Sequence, residues 1–429
     1  MARASTGAAS RRARRRPDRD RPDDHGPALL IASGVRGRLL PGGRDMGFWT
    51  RRLDRAADER EADALWWAWR RSCEGAELCT QVDTATGPTV VVPEVVEMVL
   101  GPPTTLLIKL LPGQLIGDVR RAALRLAPHL GAAALRVQPV GRIHARIELL
   151  DADPLTGTVA LQLPAAPGRV VLGRDEGARE LTQDWADLAH MIVQGVTRSG
   201  KSVFTYGLLA QMAADQRITV CGIDPTGLLF RPFAGTRHAT HQVSGVADPQ
   251  AYLRLLHDLV AEMDERITSL PADRDTLEVT AEAPMRLVVL EEYAGLLRTA
   301  DQDKQVGKDV RAAIGRLLAE GAKAGFRVVI IVQRAEANIV GAYERAMCSL
   351  RISFRTDNQA SVELLHPGAP RELGEAHTTA LPGIALLSAP GEDLTRFRAP
   401  FLGGYGAYVR AVIEACQADP DTGPAAAAA

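Results

Sequence analysis

The sequence predicts an α/β protein in which a mostly parallel sheet is covered by helices, preceded by a small α/β domain and an N-terminal helix. Three observations predict this. Beyond about residue 170, short apolar runs alternate with amphipathic helical stretches. Before that, a shorter set of apolar runs is set apart by Asp153, Pro154, Pro164 and Pro167. Ahead of both lies a charged, tryptophan-bearing stretch with helical spacing. A length of 429 residues suits about two or three domains, and 46% hydrophobic residues suits a folded protein. No apolar run approaches the roughly 18 residues of a membrane span, and no apolar core follows the arginine-rich start as a signal peptide requires. The five cysteines (Cys73, Cys79, Cys221, Cys348, Cys416) include no CxxC pair. That excludes a disulfide scaffold, argues against a zinc ribbon and points to a reduced cytoplasm.

Taken in order, residues 1–45 read as a disordered arginine-rich tail. The first 25 hold eight arginines against four aspartates and cannot bury a core. Such a tail is either dispensable or a tether to nucleic acid or an anionic membrane, and Met46 is an alternative start. Residues 46–82 read as an amphipathic helix, with Phe48, Trp49, Leu53, Leu65, Trp66 and Trp69 set among Arg, Asp, Glu and Ala. That helix packs on its own domain or lies on a membrane or partner. Residues 83–166 read as the small α/β domain, with strands at 89–92, 105–111, 134–140 and 145–150 and a helix from Ile116 to Leu130. Residues 167–405 form the larger α/β domain. Its strands are expected at 191–193, 218–223, 287–290, 328–332, 350–354 and 384–387, and its helices at 201–214, 249–268 and 305–324. Residues 406–429, ending in proline and five alanines, read as a C-terminal tail.

The sharpest motif is Gly195-Val196-Thr197-Arg198-Ser199-Gly200-Lys201-Ser202, followed by Val203. It satisfies G-x-x-x-x-G-K-[ST] between an expected strand and an expected helix. Glycines permit backbone conformations that a Cβ forbids, so loop N–H groups can face a polyphosphate at a helix N-terminus. Lys201 would reach the outer phosphates, and Ser202 would offer a hydroxyl to Mg²⁺. The expected ligands are therefore ATP and Mg²⁺.

A phosphate loop needs an acid on a nearby strand. The run Arg286-Leu-Val-Val-Leu290 ends in Glu291-Glu292. In a parallel sheet the ligand crevice lies at that end. Glu291 is assigned to the metal and its waters, and Glu292 to orienting the attacking water. Neighbouring side chains on a strand point oppositely, so their tasks differ. Gln333, after the run 328–332, is placed to sense the terminal phosphate. Asp224 either stabilises a turn or contacts ligand. The scattered histidines lack metal-ligand spacing.

These blocks resemble the FtsK/SpoIIIE family of double-stranded DNA translocases, in the HerA/FtsK branch of RecA-like P-loop ATPases. The resemblance covers roughly 170–400. It rests on GVTRSGKS, Ile223-Asp-Pro225, Val260-Ala-Glu-Met-Asp-Glu-Arg266, LVVLEEYAGLL, Glu320-Gly-Ala-Lys-Ala-Gly325, VVIIVQRAEANIV and Arg351-Ile-Ser-Phe354. The upstream domain, with Asp153-Pro-Leu155 and Gly173-Arg-Asp-Glu-Gly177, is similar to actinobacterial versions used in conjugative transfer. The resemblance implies a RecA-like motor domain over 167–405, a homo-hexameric ring, pumping of duplex DNA, and Arg351 presented to a neighbour's ATP. This sequence departs from the pattern in carrying Glu-Glu for the usual Asp-Glu, in Arg198, and in having too few residues after Ala389 for a winged-helix module.

The function expected is thus ATP-dependent translocation of double-stranded DNA, in conjugative plasmid or integrative-element transfer or in chromosome partitioning. Its setting would be the cytoplasm, with recruitment to the membrane by a partner in a transfer machine. The alternatives are a protein-translocating ATPase of the type VII secretion kind and a weakly hydrolysing nucleotide-dependent adaptor.

Overall fold

The computed structural model describes residues 30–31, 47–85, 87–164, 166, 168–245 and 248–417, with side chains from Ala56 onward. The first domain runs through β1 (Leu30–Ile31), α1 (Gly47–Gly75), a hairpin of β2 (Thr80–Thr84) and β3 (Gly87–Val91), then β4 (Glu94–Val99), β5 (Thr105–Lys109), α2 (Ile116–Leu126), β6 (Ala134–Val140) and β7 (His144–Leu150). Its sheet has the order β1-β4-β5-β7-β6 and is antiparallel except where β1 joins β4. Alternation in β7 buries Ala145, Ile147 and Leu149 on one face. Against that face pack Val119, Ala122 and Leu126 of α2 and Trp69 and Cys73 of α1. The Trp69 indole donates to the Pro93 carbonyl at 2.8 Å, which satisfies its one polar atom while the ring is buried. α1 therefore packs on its own domain.

Two expectations need correction here. The helix expected to run to Gln81 stops at Gly75, and a strand starts at Thr80. Leu30–Ile31, inside the segment read as disordered, pairs with Glu97–Met98. The rest of 1–45, and the side chains Phe48, Trp49 and Leu53, lie outside the described residues.

The second domain is entered through β8 (Val159–Ala160). It continues with β9 (Arg169–Asp175), β10 (Glu180–Asp184), β11 (Met191–Gln194), α3 (Lys201–Met212), β12 (Ile218–Asp224), β13 (Gln242–Ser244), α4 (Pro249–Thr268), β14 (Met285–Leu290), α5 (Tyr293–Ala300), α6 (Lys304–Glu320) and β15 (Phe326–Val332). After these come α7 (Ala342–Met347), β16 (Leu350–Phe354), α8 (Gln359–Leu365), α9 (Arg371–His377), β17 (Ile384–Ser388), β18 (Thr395–Arg398), β19 (Pro400–Phe401) and α10 (Tyr405–Gln417). Ten strands form one sheet of order β10-β9-β18-β17-β16-β11-β15-β14-β12-β13. From β16 to β13 it is parallel; from β16 through β17, β18 and β9 to β10 it is antiparallel. The run 384–387, expected among the parallel strands, is thus antiparallel. The six residues between β17 and β18 can only return the chain beside itself.

The parallel strands are covered on both faces, so they read as continuous apolar runs; every residue of β12 is buried. One face packs on α3 and α10, the other on α4, α5 and α6. In α4 the buried Tyr252, Leu255, Leu256, Leu259 and Met263 make a single stripe. Asp248 caps that helix by accepting from Gln250 N, with Pro249 in its first turn. The segment from 406, expected as a loose tail, instead forms α10 as far as Gln417. Tyr408, Val412 and Cys416 recur every four residues and are buried, and the Tyr408 hydroxyl donates to Leu229 O at 2.7 Å. Among the described residues no helix is long and apolar enough to cross a membrane.

Candidate functional site

Where β11 ends and α3 begins, the chain makes a tight loop from Gly195 to Gly200. Val196 N donates to Arg355 O at 3.0 Å and Ser199 N to Val196 O at 3.2 Å, so the loop curls on itself beside β16. Gly200 caps α3 with φ +108°. A Cβ there would sit 2.6 Å from Gly383 N, so only glycine fits on both counts. Arg198 takes φ +63° without being glycine, and its side chain is exposed. Thr197 and Ser202 are exposed, whereas Ser199 and Lys201 are buried. A buried lysine ammonium and the N–H groups of the first turn of α3 thus converge on one cradle.

Opposite stand the acids. β14 lies between β12 and β15, and β15 lies beside β11. Glu291 N donates to Ile223 O at 3.0 Å, which carries the β12–β14 ladder one residue past the strand. Burial pushes the Glu291 carboxyl up to about 7; Lys201 opposes this, while Asp224 and Glu292 add to it. Lys201 and Glu291 are therefore near enough for their charges to interact. Glu291 Oε2 is buried without a hydrogen-bond partner, and so is Ser199 Oγ. Glu292 takes φ +44° at the start of α5, an uncommon conformation for a residue other than glycine. Gln333 Nε2 donates to Glu292 Oε2 at 3.4 Å. Sequence reasoning placed Lys201 at the head of a helix and Glu291, Glu292 and Gln333 at strand ends, and the structure brings all four to one edge of the sheet.

The donor set fits a nucleotide with Mg²⁺. The orphaned carboxylate oxygen is a ready metal or water ligand, and the exposed Ser202 hydroxyl stands at the head of α3. Among the described residues, no group of three or more His, Cys, Asp or Glu forms a metal cage. Phosphate oxygens and water would supply the remaining ligands, as Mg²⁺ prefers.

Two further residues are engaged by bonds within the fold, and for Asp224 this is the turn role, one of its two expected readings. Asp224 is fully buried and accepts from Thr226 N, Thr226 Oγ1 and Leu229 N at 2.7–2.9 Å, so its carboxylate builds the turn after β12. Arg351 is not presented outward. Its guanidinium donates to the carbonyls of Cys348 (3.0 Å), Leu365 (3.1 Å) and Arg345 (2.6 Å), which ties α7 and α8 to β16. Presentation of Arg351 to a neighbour's ATP stays what the resemblance implies; within the chain its donors are engaged by these three carbonyls. A strand position in sequence does not reveal which acceptors claim a guanidinium.

The sequence reading missed Gln194. Fully buried at the end of β11, it accepts from Ala335 N at 3.0 Å and donates to Ser353 Oγ (2.6 Å) and Ser361 O (2.9 Å). It therefore ties the residue before the phosphate loop to the residues after Gln333. A polar side chain closing an apolar run just ahead of Gly195 was the available signal.

The geometry can be set beside known proteins. Residues 159–336 match the family model of the FtsK/SpoIIIE family. The DNA translocase FtsK of Campylobacter jejuni subsp. jejuni serotype O:23/36 (strain 81-176) is 28% identical over 253 residues, covering 55% of this chain and 25% of that protein. EssC (ATPases 2 and 3) from Geobacillus thermodenitrificans shares the fold at a TM-score of 0.50 and 14% identity, over 61% of this chain and 51% of that one. The pCW3 conjugation coupling protein TcpA, in a monomer form with ATPγS, gives a TM-score of 0.49 at 15% identity, over 80% and 98%. The chain spans between about a quarter and two fifths of the length of the curated relatives it matches. The resemblance to the FtsK/SpoIIIE family holds over the matched segment, and the domain has the α/β fold of a P-loop ATPase.

Proposed function

We propose that this chain is an ATP-driven motor on double-stranded DNA, built on its FtsK/SpoIIIE-like domain. The carrying observation is the pairing of buried Lys201 with Glu291 across the C-terminal edge of the parallel strands, where Glu291 keeps an unpartnered oxygen. Residues 195–203 would hold the phosphates. Ser202 and Glu291 would hold Mg²⁺, which when bound supplies charge neutralisation at the transferring phosphoryl group. Glu292, steadied by Gln333, orients the attacking water and takes its proton.

DNA as the moved polymer is supported by curated relatives named DNA translocases. The proposed assembly is a homo-hexameric ring around the duplex. The proposed setting is the cytoplasm, with a membrane or transfer-machinery partner in conjugative or integrative-element transfer or chromosome partitioning. Contacts to a pumped duplex should fall on phosphates, so binding should be salt-sensitive and indifferent to sequence.

The test is steady-state ATP hydrolysis by the full chain with linear duplex DNA, with an unstructured polypeptide, and with neither. Stimulation by duplex and ATP-dependent displacement of a triplex third strand are expected. Stimulation by polypeptide alone, or nucleotide binding without turnover, would overturn the DNA motor in favour of a protein translocase or an adaptor.

A further inference from the structure

Beside the phosphate loop lies a pair of arginines that no acid among the described residues neutralises. Arg398 ends β18 and faces Arg174 of β9 in register. Arg398 Nη1 and Arg174 Nε are both buried without a hydrogen-bond partner. Neither guanidinium has an ion-pair partner among the described residues, whereas the next arginine along β18, Arg396, is held by Glu176 at 2.7 Å. Like charges facing each other across a ladder are destabilising, and so are buried N–H groups left unmade. A fold that keeps both is keeping them for an anion that the apo chain does not supply.

The place of the pair says which anion. Gly383 N donates to Ser199 O at 2.8 Å, and Ala399 N donates to Gly383 O at 2.8 Å. One residue thus bridges the phosphate loop to the strand end that carries Arg398. The contact is as close on the side-chain side. A Cβ on Gly200 would lie 2.6 Å from Gly383 N, and a Cβ on Gly383, itself at φ +87°, would lie 3.5 Å from Arg398 Cζ and Nε. Two glycines therefore thin the wall between loop and guanidinium to a single peptide.

We infer that Arg398, backed by Arg174, is a further nucleotide-binding residue that takes an anionic oxygen of the nucleotide at the Gly383 flank of the loop. This rests on the proposal that the loop binds a nucleotide, and it adds an arginine from the antiparallel half of the sheet to a site otherwise drawn from the parallel half. Arg398 acts within its own subunit, since Gly383 ties it to the same chain's Ser199.

The test uses the full chain and its Arg398→Ala, Arg398→Lys and Lys201→Ala variants. Fluorescent mant-ADP titration gives affinity, melting temperature without nucleotide gives stability, and light scattering gives mass. Arg398→Ala should bind mant-ADP about tenfold more weakly, the loss of one charge-assisted hydrogen bond. Its nucleotide-free melting temperature should stay level or rise, because a half-buried guanidinium with one buried, unpartnered nitrogen has gone. Arg398→Lys should recover part of the affinity, since a point charge replaces a planar fork. Unchanged affinity in Arg398→Ala, whether alone, with a lower melting temperature, or with an altered mass that reveals an acid from a neighbouring copy, would overturn the inference. If Lys201→Ala loses affinity while Arg398→Ala does not, only this inference fails. If Lys201→Ala also binds as the parent does, the phosphate-loop reading fails with it.

Discussion

A glutamate stands at each end of β14, Glu262 of α4 at one and Glu291 at the other, in opposite conditions. At the start of the strand Arg286 meets Glu262 of α4, its Nε donating to both carboxylate oxygens at 3.0 and 3.1 Å. Arg266 adds a bond to Glu262 at 2.7 Å and donates to the carbonyls of Pro284 and Ala324. Burial alone would raise the Glu262 carboxyl, but the hydrogen bonds and charges of Arg286 and Arg266 outweigh it and hold the group below its ordinary range. Just beyond the other end, Glu291 has an oxygen with no partner, and burial lifts it to about 7. One end of the strand is complete within the chain; the other is left open to a ligand. Buried polar groups that are satisfied hold a fold together, and those that are not mark where something else must bind. It also separates two blocks that the sequence offers side by side: Val260–Arg266 builds the closed end, and LVVLEEY leads to the open one.

The contrast is broken most forcefully at the open end. Lys201→Ala should lower ATP turnover by at least about a hundredfold, the usual scale for losing one transition-state charge, with little change in melting temperature. Glu292→Gln should bind ATP yet lose about a hundredfold or more in turnover, as for a lost general base. If Glu291→Gln shows that signature and Glu292→Gln does not, the roles of the two glutamates are exchanged. At the closed end the same chemistry should read out as stability. Glu262→Ala strands two arginines and should cost about 3 kcal/mol, the lower end for a broken buried pair because the Glu262 side chain is 21% exposed. It should appear as a lower denaturation midpoint, with turnover per folded molecule retained.

The open end also carries a pH signature. Glu291 is raised from 4.5 to about 7 in the folded state, so between those values the folded chain holds a proton that the unfolded chain has released. Stability contributed by this group is full below about pH 4.5, declines as pH rises, and is gone above about 7. The span is about 3 kcal/mol. Glu291→Gln should therefore melt higher than the parent at pH 8 and nearly the same at pH 5. Identical pH profiles would place the carboxylate in a wetter setting. Glu262, lowered rather than raised, contributes in the other sense: its stabilisation is present above its ordinary pKa and lost as pH falls through the lowered value.

Much of the open end was legible in the sequence because its signals are local. A buried parallel strand is an unbroken apolar run, and the residue that ends it stands at the crevice. Gly195–Ser202, Glu291–Glu292 and Gln333 follow from that rule. Of the antiparallel half only β17 was legible as a strand, because the others are short and mixed. Thr-Arg-Phe-Arg of β18 and Glu-Leu-Thr-Gln-Asp of β10 carry no periodicity strong enough to name a strand. α10 was hidden by its glycine and alanines until Tyr408, Val412 and Cys416 found a surface to cover. Gln194, Gly383 and Arg398 each meet a residue at least 100 positions away (Ala335, Ser199 and Arg174), and no window of sequence shows those.

Arg351 offers the smallest and most discriminating test, because it sits in the parallel half yet is satisfied like the closed end. Its three carbonyl bonds hold Arg345, Cys348 and Leu365 around the start of β16. Its pairing partner across the ladder is Ile192, three residues before the loop glycine Gly195. Removing the side chain should leave carbonyls short of donors and cost about 1–3 kcal/mol, read as a modest fall in melting temperature. Turnover by the folded protein should change little, since the loop is also anchored through Gln194 and Arg355. The opposite pair of results, an unchanged melting temperature with turnover lost and then restored by mixing with Lys201→Ala subunits, would mean that the guanidinium leaves its carbonyls and crosses to a neighbouring site. A satisfied group would then have acted as an open one, and the distinction drawn from β14 would not extend to β16.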